Sequence, residues 1–323
     1  MTSTLPISDT GSHAAAAPRL WTEPLTAALM RLARPKLWLA LALSQLLAVW
    51  WWGWAGRLRA TGWIPVWYDQ GATFTQVAAH LGNPYQLPGY INPPWAVVYL
   101  LPFNFLPLPL AVLAQLCLYF AILTVIIFRR RPQLRVVLLA LTTFTSFDAA
   151  LQLNVDWIVC LGLLVPAAWS GPFLLVKPQV ALGYWFGLSG RTLARAVIVA
   201  LAVGLLALAL WPAWPLSLLD AVARNGLVNQ VGNLAPLRWL PAPVALGLGL
   251  SLAWQARRWR DPGLGVLAGI FFVPYLQPYS LLLHLALLAT RWPRVVLVFS
   301  LTMWLVYGGV LAWGLFQLGW RGG

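Results

Sequence analysis

The sequence predicts an all-α bundle of about eight to ten membrane helices, several of their apolar runs shorter than the roughly 20 residues of a full span, with external surface helices after the first span. Three observations lead there. Of 323 residues, 61% are hydrophobic and only 9% are charged, against about 25% charged in soluble domains. Apolar runs recur from Leu37 almost to the C-terminus, so hydrocarbon is the solvent for most of the chain. The 21 Trp fit this solvent, because Trp settles at the headgroup interface.

The net charge of +14 does not mark a nucleic-acid partner. Such a binder concentrates its bases on one stripe interleaved with aromatics. Here they form short clusters between apolar runs: Arg31/Arg34/Lys36, Arg129/Arg130/Arg131/Arg135, Arg191/Arg195, Arg257/Arg258/Arg260 and Arg291/Arg294. Cytoplasmic helix ends collect Lys and Arg. Placing all five clusters and Arg19 inside leaves Arg57, Arg59, Lys177, Arg224, Arg238 and Arg321 elsewhere. Cys117 and Cys160 lie inside apolar runs and read as packing residues. His13, His80 and His284 are too scattered for a tightly bound structural metal.

Each element follows from this sidedness. Residues 1–36 are polar and Ala-rich and read as a disordered cytoplasmic N-terminus. Residues 37–323 form a single transmembrane domain. Segment 37–55 is too long for a cleaved signal peptide and runs outward as an uncleaved anchor. Residues 56–107 form an external loop. In it, 71–81 carries Phe74, Val77, Ala78 and Leu81 at helical spacing, which predicts an amphipathic surface helix. Gly82-Asn83-Pro84-Tyr85 ends it as a turn, and Pro93-Pro94 opens a second short helix over 95–106. Segments 108–128 and 134–150 then run inward and outward. Pro166 and Ser170-Gly171-Pro172 break the stretch 155–177, and a pair of re-entrant half-helices keeps the charge rule. Segments 180–188, 193–211, 240–254, 264–276, 279–289 and 295–318 alternate after that, with a second external loop at 212–238.

This topology collects the unusual polar residues on the outer face, where ionisable groups at membrane depth are costly and usually functional. They are Tyr68 and Asp69 in the first loop, Gln152, Asn154 and Asp156 at a helix end, and Lys177 and Gln179 at the next start. Arg224 with Asn225, Asn229 and Gln230 lies in the second loop, and Gln277, Tyr279 and His284 at a late helix start. Each has a plainer reading. Asp69 and Asp156 suit helix N-caps, Lys177 suits a snorkelling side chain, and His284 suits a satisfied buried histidine. Asp148 reads as serving local polar groups, and Asp220 and Asp261 as loop residues. Gln76 and His80 read as solvated.

The order of these motifs resembles the GT-C class of membrane glycosyltransferases. It runs from an external Asp69 after the first span through a surface helix, Asn83-Pro84-Tyr85 and Pro93-Pro94. Gln152/Asn154, Lys177-Pro178-Gln179 and Pro278-Tyr279 with His284 follow. Within that class the chain is most similar to glycosyltransferase family 87, the polyprenol-phosphate-mannose-dependent mannosyltransferase type. Leu151 stands where the family pattern has Gly. The resemblance implies a GT-C-type bundle in the cell membrane and a polyprenyl-phosphate-linked hexose donor, mannose by default. It implies inverting transfer to an extracytoplasmic glycolipid or polysaccharide, with Asp69 as the base.

The chemistry agrees with that implication. A carboxylate takes the acceptor hydroxyl proton as it becomes acidic in the transition state, and a cation such as Lys177 or Arg224 stabilises the departing phosphate. Tyr68, Asn154, Asp156, Gln152, Gln179 and His284 are the further substrate-binding candidates, and a divalent cation is a possible cofactor. Two other functions compete: a non-catalytic relative that binds a lipid-linked sugar, and a transporter or flippase, which would need a midplane site.

Overall fold

The computed structural model describes residues 34–62, 64–226 and 232–321. Most of the segment expected to be disordered, and Asn229 and Gln230 of the second loop, lie outside them. Every regular element among the described residues is helical. In chain order they are α1 (Pro35–Thr61), α2 (Tyr68–Ala72), α3 (Ala96–Leu100), α4 (Leu108–Arg130), α5 (Leu134–Leu141) and α6 (Phe144–Gln152). Then come α7 (Asp156–Leu161), α8 (Gly171–Leu174), α9 (Pro178–Ala181), α10 (Gly190–Leu210) and α11 (Trp214–Asn225). The last are α12 (Pro236–Trp239), α13 (Ala242–Trp259), α14 (Pro262–Gly269), α15 (Leu281–Arg291) and α16 (Pro293–Arg321).

Local chemistry sets many of these limits. Pro in a first turn loses no helical hydrogen bond, and Pro35, Pro178, Pro236 and Pro262 open α1, α9, α12 and α14. Gly62 ends α1 with φ 69° and donates its N–H to the Arg59 carbonyl, as a left-handed C-cap does. Ser189 caps α10 by accepting from the Thr192 amide.

Four helices (α1, α4, α10 and α16) are long and apolar enough to cross a membrane, and the pair α5–α6, bent by 55°, makes five if taken as one span. They point to a multi-pass membrane protein. Their outward faces carry Trp38, Leu46, Trp50, Leu201, Leu205, Leu301 and Leu305, all well exposed, a pattern suited to hydrocarbon and not to water. Against the expected eight to ten membrane helices, the described residues hold four or five of membrane length. The chain instead makes several passages in short pieces. Segment 180–188 is a one-turn helix and a 3-10 helix, and 264–276 is α14, a 3-10 turn and extended chain. Freed backbone groups find partners inside the protein, as they must at membrane depth. At the α5–α6 bend, the Thr142 hydroxyl donates to the Leu138 carbonyl, and the Thr143 and Ser146 hydroxyls donate to the Ala140 carbonyl.

The basic clusters meet at one end of the bundle. Arg130 pairs with buried Asp261 at 2.9 Å, Arg291 pairs with its other oxygen, and Arg131 donates to the Thr290 carbonyl. Arg257 donates to the Leu188 carbonyl. Asp261 also accepts from the Gly263 and Leu264 amides at the start of α14. It lies in the short loop expected there, as the N-cap of α14, but is a buried structural centre. At the opposite end, Lys177 meets Asp156 at 2.6 Å. The broken stretch between them leaves this end and returns to it, as the half-helix reading requires. The surface helix expected over 71–81 is α2 followed by a 3-10 helix, Phe74–His80. A three-residue repeat buries Phe74 and Val77 but leaves Ala78 and Leu81 exposed.

Two of the short passages are fused by glycine. Gly183 and Gly187 face Gly265 and Gly269, and a Cβ on Gly183 would stand 2.3 Å from the Gly265 carbonyl oxygen. Both strips have the G-x-x-x-G spacing that lets backbones touch in membranes. Gly204, by contrast, has nothing within 4 Å of an added Cβ. Gly183→Ala is therefore expected to lower stability by about 1–3 kcal/mol through overpacking. Gly204→Ala should hold or gain up to about 1 kcal/mol. Thermal unfolding of the detergent-solubilised chain measures both; equal effects would refute the seam.

Candidate functional site

The end opposite the basic clusters holds a cavity of about 670 Å³. Its walls come from the first loop, the end of α6, the Lys177 turn, α11 and the chain leading into α15. The site is built on the C-terminus of α6. A helix end leaves carbonyls without intrahelical partners, and here the first loop supplies the donors. The Trp67 amide donates to the Leu151 carbonyl at 2.8 Å and its indole to Ala150 at 2.9 Å. The buried Gln70 side chain donates to the Leu153 carbonyl at 3.0 Å and exchanges hydrogen bonds with Gln115 of α4. The Trp157 indole also donates to Gln115.

This docking fixes Asp69. Asn154 donates to its Oδ2 at 2.7 Å. Because the Asn154 oxygen accepts from the Val155 amide at 2.8 Å, its NH₂ has to face Asp69. Trp67 (φ 59°) and Leu153 (φ 26°) are two of the three non-glycine residues with positive φ among the described residues. Such strained positions concentrate at functional sites; Leu153 immediately precedes Asn154, and Trp67 stands two residues before Asp69. Burial pushes the Asp69 carboxyl above the usual carboxylate range. The Lys177 charge and the Asn154 hydrogen bond oppose the rise, and Asp156 adds to it.

Lys177 lines the cavity, yet its ammonium is buried. It donates to Asp156 at 2.6 Å and to the Ser280 hydroxyl at 3.1 Å, and sits 4.5 Å from the centre of the Tyr279 ring. Asp156 lies behind it and away from the cavity walls, and its Oδ1 has no partner. Among the described lining residues Lys177 is the one cation, facing the carboxylates Asp69 and Asp148.

The structure thus gathers Asp69, Gln152, Asn154, Lys177 and Gln179 around one cavity. Besides Asp156, which touches the site only through Lys177, three expected members stand apart. Arg224 is 62% exposed on α11 and pairs with Asp220 four residues earlier, because the face of α11 toward the cavity is apolar, with Leu218, Leu219 and Val222. Tyr68 is 60% exposed outside the cavity wall, since Asp69 and Gln70 take the inward positions of that short helix. His284 is buried one turn beyond Ser280, whose carbonyl its Nδ1 meets at 3.1 Å. Asp148, expected to serve local polar groups, does meet the Tyr279 backbone, and it also lines the cavity one helical turn before Gln152. That four-residue spacing was the available signal. Gln70 and Gln115 were missed because a buried amide pair between distant segments has no local pattern. No three His, Cys, Asp or Glu side chains among the described residues gather as metal ligands, so the donor set does not form a protein-built site for a divalent cation.

No protein family, curated protein or solved structure was found to match this chain.

Replacing Gln70 by Leu strands the Gln115 amide and the Leu153 carbonyl. Gln70→Leu is expected to cost about 1–3 kcal/mol and to expose the segment 64–95 to protease. Gln76→Leu, on the exposed side of the loop, should stay within about 0.5 kcal/mol. Parallel thermal unfolding and limited proteolysis compare them; indistinguishable variants would show that the docking does not hold the loop.

Proposed function

We propose that this chain is an integral membrane glycosyltransferase of GT-C type. It transfers a hexose, mannose by the family resemblance, from a polyprenyl-phosphate carrier to a hydroxyl of a glycolipid or polysaccharide. The observation that carries the reading is Asp69. It is a half-buried carboxylate at a cavity wall, held by an amide whose orientation is itself fixed, with its pKa raised by burial. In the proposed step the acceptor oxygen bonds to the anomeric carbon while the bond to the carrier phosphate breaks, inverting that centre. The acceptor proton passes to Asp69, and the electron pair leaves with the phosphate beside Lys177. The apolar wall of Leu218, Leu219 and Val222 suits the prenyl chain. Basic clusters mark cytoplasmic ends, and they gather opposite the cavity, so the cavity faces the extracytoplasmic side of the cell membrane in this reading.

One observation favours a second reading, a non-catalytic binder of lipid-linked sugars. Lys177 is already neutralised by Asp156, which leaves less charge for a phosphate leaving group. Transfer assays in proteoliposomes, with labelled polyprenyl-phosphate sugars and a lipid acceptor fraction, separate the two. Wild type should transfer and Asp69→Asn should lose at least about 100-fold, within the usual weight of a general base. The raised pKa means that the ionised carboxyl opposes folding above that pKa, so Asp69→Asn should unfold no lower than wild type at neutral pH. A folded wild type that consumes no donor gives way to the binding or transport reading.

The pH dependence checks the base itself. Only ionised Asp69 accepts a proton, so kcat/KM should fall on the acid side at a pH above the usual carboxylate range. Asn154→Ala removes a hydrogen bond that favours the ionised form and should move that limb to still higher pH. A limb that Asn154→Ala leaves in place would assign the base to another residue.

A further inference from the structure

Asp148 is a carboxylate that the proposed step does not use. It sits in α6 among Phe144, Phe147, Ala149 and Ala150, yet it lines the cavity. No basic side chain among the described residues pairs with it, and the backbone of Tyr279 is its hydrogen-bonding neighbour. A largely buried acid without a cation partner is expensive in a membrane protein, and such a position is by default read as serving a ligand. Gln152 follows four residues later, on the same helix face, and lines the same wall. Beside them lie Tyr279, whose backbone meets Asp148, and Tyr307, whose ring stacks on Phe144 of the same helix with centroids 3.7 Å apart; both line the cavity.

The chemistry of this wall is selective. An ionised carboxylate only accepts hydrogen bonds, and a neighbouring amide both donates and accepts. Together they match adjacent hydroxyls on a ring, while tyrosine faces cover its C–H surface. The same carboxylate repels a second anion. The lining holds Asp69 and Asp148 against Lys177 alone, and Lys177 is committed to Asp156. The one place for an anion is therefore beside Lys177, at the carrier phosphate.

We propose that Asp148 is a specificity-determining residue: with Gln152 it binds hydroxyls of the transferred sugar, and in its ionised form it rejects a sugar that carries a carboxylate. The proposal rests on the glycosyl-transfer reading for the nature of the ligand, but its test reads binding and not turnover. Short-chain prenyl phosphate, its hexosyl ester and its hexuronosyl ester are titrated into the full detergent-solubilised chain at about pH 9, where a buried carboxyl of this kind is ionised, with intrinsic Trp fluorescence as readout. Wild type should bind the hexosyl ester at least about tenfold tighter than the hexuronosyl ester, a difference within reach of one charged hydrogen bond. Asp148→Asn should bring the two affinities together and leave bare prenyl phosphate unchanged. Asp148→Glu, which keeps the charge, should preserve the discrimination. If Asp148→Asn does not fold, the Glu variant and Gln152→Leu carry the test, the latter weakening the hexosyl ester without admitting the hexuronosyl one. Discrimination unchanged in Asp148→Asn, or equal weakening of all three ligands, would reduce Asp148 to a structural residue and leave the glycosyltransferase reading intact. A wild type that binds neither sugar ester better than bare prenyl phosphate overturns both readings.

Discussion

A helix that ends inside a protein needs donors for its last carbonyls, and the end of α6 is where this structure meets that need with its functional loop. The Trp67 amide, the Trp67 indole and the Gln70 side chain all donate to carbonyls between Ala150 and Leu153. One set of hydrogen bonds thus does two things. It satisfies backbone that hydrocarbon would leave stranded, and it sets Asp69 of one segment against Asn154 of another. The left-handed backbone at Trp67 and Leu153 is strain of order 1–3 kcal/mol each, tolerable only because this docking over-determines both positions.

Charge is distributed with the same economy. The chain carries only 7 acidic residues, and three of them, Asp69, Asp148 and Asp156, lie at or behind the cavity. At the other end a single Asp261 joins Arg130, Arg291 and the start of α14. A buried ion pair seldom adds net stability, whereas removing one partner is strongly destabilising. What Asp156 and Lys177 contribute is position. Their contact closes the broken stretch on itself and brings an ammonium to a lining whose other charged residues, among those described, are acidic.

Much of this was legible beforehand, for physical reasons. Hydrocarbon as solvent dictates helices, and the basic clusters had to gather at one end, so the opposite end was the place to look. Asp69, Asn154, Lys177, Gln152 and Gln179 could be nominated because polar groups at a helix edge are conspicuous among apolar neighbours. Helix number was not legible. Hydropathy counts apolar runs, but Gly183, Gly187, Gly265 and Gly269 allow runs too short for a membrane-length helix to pack as broken segments. Arg224 was misplaced because charge alone does not say which face of α11 turns inward, and the apolar Leu218–Val222 side won. The Gln70–Gln115 contact spans 45 residues, a distance at which sequence carries no pairing signal without a periodic pattern.

The glycine seam and the cavity are two ends of one arrangement. The passages 178–187 and 262–276 leave the basic end together, at Leu188 and Asp261, and reach the cavity at Lys177 and Tyr275. Backbone contact along the seam leaves them little freedom to slide. Lys177 on one passage is therefore held against Ser280 and Tyr279, just beyond the other. Tyr279 in turn meets Asp148 through its backbone. Longer helices with side chains between them would separate these groups by the 8–10 Å of ordinary helix packing. The short, glycine-lined passages are what let one ammonium, one tyrosine and two carboxylates from distant parts of the chain share a single wall.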